Sequence, residues 1–370
     1  MNDPTDRLRR ARTEGVGPVA WRRLMRRYAS ATEALDALPG LARAAGRATP
    51  PRIPSAGDAR READRVSAMG GTLLFQDDPA YPALLARLDD APSVIAVLGD
   101  PALLSQRAVA VVGSRNASAN GQRLAESLSA DLAQQGLAVV SGLARGIDAA
   151  AHRGALRTGI TIACIAGGPD VAYPAEHADL QRQIAENGAV VAELPPGVQP
   201  QARHFPRRNR VIAGLALGVL VVEAAPRSGS LITARLAAEA GREVFAIPGS
   251  PLDPRARGAN GLIRDGAHLT ETADDILAAL PLDATRLRGQ LGLAEAQLPA
   301  DPPEFLPEGD HARTLAAVVA LLGPTPTAVD DLIRRCQLPG PAVLTVLLDL
   351  EIAGRIETLP GNRVALLGGG

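Results

Sequence analysis

Apolar residues in the middle of the chain come in short unbroken runs rather than in stripes. "RAVAVVGS", "LAVVSG", "ITIACIAGG", "AVVAEL", "GVLVVEA" and "EVFAIPGS" punctuate residues 107–250, and each gives way to small or charged residues. Runs of this length that are apolar on both faces predict strands covered on both sides. Between them lie stretches of helical length: about Gly121 to Gln135, from Asp148, from about Glu176, and from Ser230. Strand and helix in alternation predict an α/β fold, a Rossmann-like doubly wound parallel sheet. Ligands of such sheets bind outside the carboxyl ends of the strands. The loops at that edge are Gly113 to Arg115, Gly142 to Asp148, Gly167 to Tyr173, Arg203 to Arg210 and Pro226 to Ser230.

The flanks follow other patterns. Residues 1–60 read as a small helical domain, in which "EGVGPVAWRRLMRRYAS" carries the Gly-x-Gly turn of a helix-hairpin-helix, as also found in SAM-like units. Proline and glycine between Gly46 and Gly57 mark a linker. Residues 70–106 extend the sheet, so the core domain spans 70–280. A polar, proline-rich linker, 281–309, leads to a tail at 310–370 that reads helix, helix, helix, hairpin, the order of a winged helix.

Composition narrows the chemistry. With 370 residues there is room for several domains, and a net charge of −1 confines any anion-binding surface to a local patch. All 39 basic residues are arginine. A Walker A loop needs lysine, so its absence weighs strongly against a P-loop ATPase, and the Gly-x-Gly-x-x-Gly dinucleotide fingerprint is also missing. Cys164 and Cys336 stand far apart in apolar surroundings and read as buried thiols of a reducing compartment, with neither a disulfide nor a metal site. No stretch is long and apolar enough for a membrane span, so a cytoplasmic protein without a membrane partner is expected.

Several loops suit phosphate. The turn at Gly113 offers its backbone and the Ser114 hydroxyl, with Arg115 as a clamp. Gly142 and Gly146 bracket a tight loop before Asp148, which lies one helical turn from His152. That pair reads as a helix-capping acid and a packed imidazole in preference to an acid–base dyad. Glu223 ends a strand, where it binds a ribose hydroxyl, acts as a base or, as the favoured reading, pairs with a nearby arginine. Ser228, Gly229 and Ser230 lead free amides into a helix. "RHFPRRNRVIAGLA" places Arg203, Arg207, Arg208 and Arg210 around Phe205 at a helix start. An arginine-lined groove with an aromatic platform is how single strands are held without sequence preference. The other reading keeps Phe205 in the core and leaves the arginines solvated.

From about Tyr81 to Ala267 the chain resembles the DNA-processing protein A family (DprA, also called Smf), through "YPALL", "VAVVGSRNAS", "VVSGLARGIDAAAHRGAL", "FPRRNRVIAGLA", "VVEAAPRSGSLITARLAAEAGREVFAIPG" and "GANGLIRDGA". The resemblance implies a single-stranded DNA binder that helps load the RecA recombinase in natural transformation, without catalysis or cofactor, and a homodimer formed through the core domain. It implies that Ser114 and Arg115 hold a phosphate. It further implies that Phe205, Arg207, Asn209, Arg210, Arg227, Gly229 and Ser230 line the DNA groove. Gly113, Gly142 and Arg208 complete the expected phosphate-binding set. The tail departs from a DNA-reading winged helix, because "PGPAVLTVLLDLEIAG" lacks basic residues and carries Asp349 and Glu351. Two competing readings remain: a nucleotide enzyme of the phosphoribohydrolase type, whose signature "GGPDVAYPAE" only partly echoes, and a transcription regulator acting through the tail.

Overall fold

The computed structural model describes residues 3–44, 49–280, 308–359 and 362–367. The linker expected at 281–309 lies, up to residue 307, outside the described residues, as do residues 45–48 around the start of the linker expected at 46–57. The chain forms two compact units, residues 62–290 and residues 1–61 together with 291–370.

The larger unit is built on one sheet: β1 Gly71–Phe75, β2 Val94–Gly99, β3 Ala108–Val112, β4 Ala138–Ser141, β5 Thr161–Ile165, β6 Ala189–Ala192, β7 Gly218–Val221, β8 Glu243–Ala246 and β9 His268–Leu269. Their order is β1-β2-β6-β5-β4-β3-β7-β8-β9. From β6 through to β9 every pairing is parallel, so the expected Rossmann-like sheet is present. The segment before β3 extends it as anticipated, but antiparallel: β1 pairs with β2, and β2 with β6.

The unbroken apolar runs are explained by β3. Ala108, Ala110 and Val112 enter one core while Val109 and Val111 enter another on the opposite face. Both faces are covered, so period-two alternation has no polar side to reveal. Helices Ala119–Gln134, Ile147–Thr158, Ala178–Asn187, His204–Leu215 and Gly229–Glu239 provide the cover. Their starts are set locally. Ser118 accepts the Gly121 amide and Ser228 the Ser230 amide, the N-cap bonds expected of serine.

The second unit holds helices Pro4–Ala11, Pro18–Arg27 and Ala31–Ala44 at one end of the chain and the tail at the other. The tail is a winged helix: Glu308–Leu321, Val329–Cys336 and Gly340–Ile352, followed by a hairpin of Ile356–Leu359 and Arg363–Leu366. No helix among the described residues is long and apolar enough to cross a membrane.

Candidate nucleic-acid interface

Strand order reverses between β3 and β7: β4, β5 and β6 lie to one side of β3, and β7 and β8 to the other. The loops leaving β3 and β7 therefore diverge, and a crevice must open between them. It is a cleft of about 550 Å³, lined by residues 112–116 after β3, residues 225–230 after β7, and Ala144, Asp148, Phe205, Arg208 and Asn209.

The rim is where aromatic and cationic groups meet. Phe205 sits in the first turn of His204–Leu215 and is half-buried, not a core side chain. The Arg115 guanidinium lies over its ring, 4.8 Å from the centroid. Tyr173 packs on the ring at 5.8 Å with planes tilted by 56° and remains 49% exposed. Such a stack presents a π-face and a positive charge side by side. Across the cleft, Arg227 is exposed at φ 66°, in the left-handed region, directly before the helix that Ser228 caps. Ser228 and Ser230 hydroxyls lie 2.8 Å apart, and a Cβ on Gly229 would meet nothing within 4 Å. Ser114 holds the opposite turn, its hydroxyl accepting the Asn116 amide at 3.2 Å.

Below the rim lies a buried polar floor. Arg208 donates one nitrogen to the carbonyls of Gly142 and, at 2.9 Å, Cys164. Gly142 has no room for a Cβ, because Arg208 and Asp148 fill that space. Gly146 has φ 75° and packs on the backbone of Ser114 and Arg115, so it too must be glycine. Asp148 is fully enclosed. Burial pushes its carboxyl up, and the Arg208 charge and backbone amides pull the other way. The Thr161 hydroxyl donates to Val139 at 2.7 Å and so must accept from His152 Nδ1, also 2.7 Å away. His152 is pushed down to about 3 by burial, then by His177 and Arg208. Asp148 lines the cleft from below and accepts the Ala144 amide at 3.3 Å, reaching back to the loop before its helix instead of into the first turn, and His152 packs against Thr161.

The four-arginine cluster divides. Arg203 and Arg207 are exposed, while Arg208 and Arg210 are buried. Arg210, expected to clamp phosphate, donates to the Asp90 carbonyl and pairs with Glu193 at 2.5 Å and Asp90 at 3.7 Å. Burial works against its charge, and the two carboxylates outweigh that. It does not line the cleft. Arg208 reaches the cleft only as its floor, and Gly142 is buried with its carbonyl committed, so neither is a free phosphate contact. Arg207 borders a separate shallow depression with His204 and Glu193 instead of the cleft. Asn209 is buried and donates to the Gly229 carbonyl at 3.3 Å, joining the helix to the loop after β7. Helical phase does not account for the split: at about 100° per residue Arg203, Arg207 and Arg210 lie on one face and only Arg208 turns away, so the burial of Arg210 is set by its partners Asp90 and Glu193. Tyr173, which the sequence places only at the end of an edge loop, joins the site through its contact with Phe205; its being one of three tyrosines in the chain is the signal that singles it out.

The carboxylate that a nucleotide enzyme would use, Glu223, accepts the Ser118 amide at 2.9 Å and the Ser118 hydroxyl at 2.5 Å. It anchors the start of a helix.

A doubly wound sheet with a switch-point cleft, a helix-hairpin-helix unit and a winged-helix tail defines a three-module α/β protein of the Rossmann-like class. The model for DNA recombination-mediator protein A matches residues 72–281, that for the DprA-like N-terminal HHH domain residues 2–64, and that for the DprA winged helix domain residues 299–362. The chain belongs to this DprA/Smf family. Protein Smf of Escherichia coli is 43% identical over 300 residues, covering 80% of this chain and 77% of the relative. The crystal structure of DprA from Streptococcus pneumoniae has a TM-score of 0.59 and 43% identity, covering 62% of this chain and 80% of that one. DprA from Helicobacter pylori, whose structure describes a single-stranded DNA binding mode, has a TM-score of 0.51 and 28% identity, covering 59% and 96%.

Proposed function

We propose that the protein binds single-stranded DNA along the cleft at the carboxyl edge of the sheet and helps load the RecA recombinase onto it in natural transformation, as a homodimer and without catalysis. The observation that carries this reading is the Arg115–Phe205–Tyr173 stack on the rim. A base splayed from a single strand has a π-face to lay on such a platform, and a base inside a duplex does not. Arg115 and Arg227, on opposite loops of the cleft, supply charge for the phosphates, and the Ser228–Ser230 turn supplies a helix start. The binding mode named for the Helicobacter pylori relative supports the same ligand.

The test is a titration of oligothymidine against an equal length of duplex at fixed salt. Oligothymidine should bind more tightly, with affinity falling steeply as salt rises. Equal or better duplex binding sinks the reading. Adding RecA and following filament growth on the bound strand tests the loading step separately.

A further inference from the structure

A winged helix that reads DNA turns the outer face of its third helix to a groove. In the tail that face is already covered. Along Gly340–Ile352, Val343, Val346, Leu347 and Leu350 pack into the winged helix itself, with Val318 and Leu332. The next stripe, Leu348 and Ile352, joins a different core with Trp21, Leu24, Leu35 and Leu38 of the N-terminal helices. Leu348 and Ile352 are 8% and 1% exposed, and Trp21 is 2% exposed.

Polar contacts follow the same stripe. The Arg23 guanidinium donates to the Leu344 carbonyl at 3.1 Å. Gly17, the N-cap of Pro18–Arg27, has no side chain with which to cap. Its amide donates instead to Glu351 Oε1 at 3.2 Å, from 334 residues away. The other carboxylate oxygen accepts the Thr358 hydroxyl at 3.0 Å, and Glu351 is 5% exposed. A Cβ on Gly17 would sit 3.1 Å from that same Oε1, so a side chain there would make the carboxylate give way by a few tenths of an ångström. A carboxylate at a helix start is favoured by the axial dipole, and here it is delivered by another domain.

We propose that the tail is a clasp for the N-terminal helical unit: the outer face of Gly340–Ile352 is an intramolecular docking surface rather than a DNA-reading one, and Glu351 is the residue that sets its register. The two ends of the chain then open and close as one cooperative element. This stands apart from the cleft reading, since no residue of the cleft takes part.

Trp21 is the chain's one tryptophan, so its emission reports the contact directly. In the full chain, Leu348→Ala should shift that emission to the red and raise amide exchange across Pro18–Arg27 roughly tenfold, while exchange in β3 stays unchanged. Glu351→Gln keeps an acceptor and loses the charge, so it should give a smaller rise in the same amides. Removing residues from 308 onward should give the largest change in both readouts. Unaltered Trp21 emission and exchange in the truncated chain overturn the proposal. So does duplex binding about tenfold tighter in Leu348→Ala, because the face would then be a masked DNA reader. Oligothymidine affinity, measured on the same samples, reports the cleft independently.

Discussion

The rim and the floor of the cleft use the same residue types for opposite ends. Arg115 lies open over the Phe205 ring; Arg208, 5.9 Å from the centroid of the same ring, is buried and enclosed by two carbonyls and an aspartate. Arg207 and Arg208 are consecutive in sequence, yet one is exposed and the other is 6% exposed. An arginine serves a ligand only if nothing in the fold satisfies its donors first. Charge near a cleft is therefore not sufficient for recognition: Arg208 holds the loops from below, whereas Arg115 and Arg227 stand exposed along the cleft.

The contrast breaks most visibly at Arg210. Removing one partner of a buried pair strands the other charge, so Arg210→Ala should cost on the order of 3–5 kcal/mol of stability, read by urea unfolding. Single-strand affinity of the folded fraction should be unchanged. If affinity fell with stability intact, Arg210 would be a ligand contact after all.

His152 offers a pH handle on the floor. Its folded value, about 3, lies below the ordinary 6.5, so the neutral form is the one the fold accepts. The unfolded chain binds the extra proton, and the stability owed to neutral His152 is complete above about pH 6.5 and is lost as pH falls toward 3. Asp148 has the opposite sign: its raised carboxyl favours folding at low pH and less so as pH rises through its folded value. The His152 contribution to unfolding free energy should therefore decline on acidification below about pH 6.5, by at most about 1.4 kcal/mol per pH unit. His152→Leu should remove that share of the slope.

On the rim, Phe205→Ala should weaken single-strand binding by about 1–3 kcal/mol while leaving the salt slope unchanged, since stacking releases no counterions. A large fall in melting temperature with affinity retained would return Phe205 to the core. The smallest effect is expected from Arg227→Ala. Loss of one phosphate contact should lower the slope of log K against log salt by about 0.7, with a modest loss of affinity.

Much of this was legible from residue order. The apolar runs located the strands β3 to β8, and glycine turns located the edge where the cleft opens. What stayed hidden depends on distant partners. Arg210 pairs with Asp90, 120 residues before it, and no local pattern separates it from Arg207. Glu351, flagged only as an acid that would repel DNA, meets an amide near the other end of the chain. Side-chain direction on a helix covered from more than one side is decided by those partners and not by periodicity. Tyr173 joins Phe205 only because the loops after β5 and β6 come to the same edge.

Arg227 closes the comparison from another direction. A non-glycine residue in the left-handed region carries a conformational cost of roughly 1 kcal/mol. Glycine at that position would relieve it and make the loop more comfortable, while deleting the one charge the loop projects over the cleft. On the proposed function, thermal robustness and DNA affinity thus pull this position in opposite directions. A screen that rewards stability alone should find Arg227→Gly among its gains and report, in the same variant, a protein less able to hold a strand.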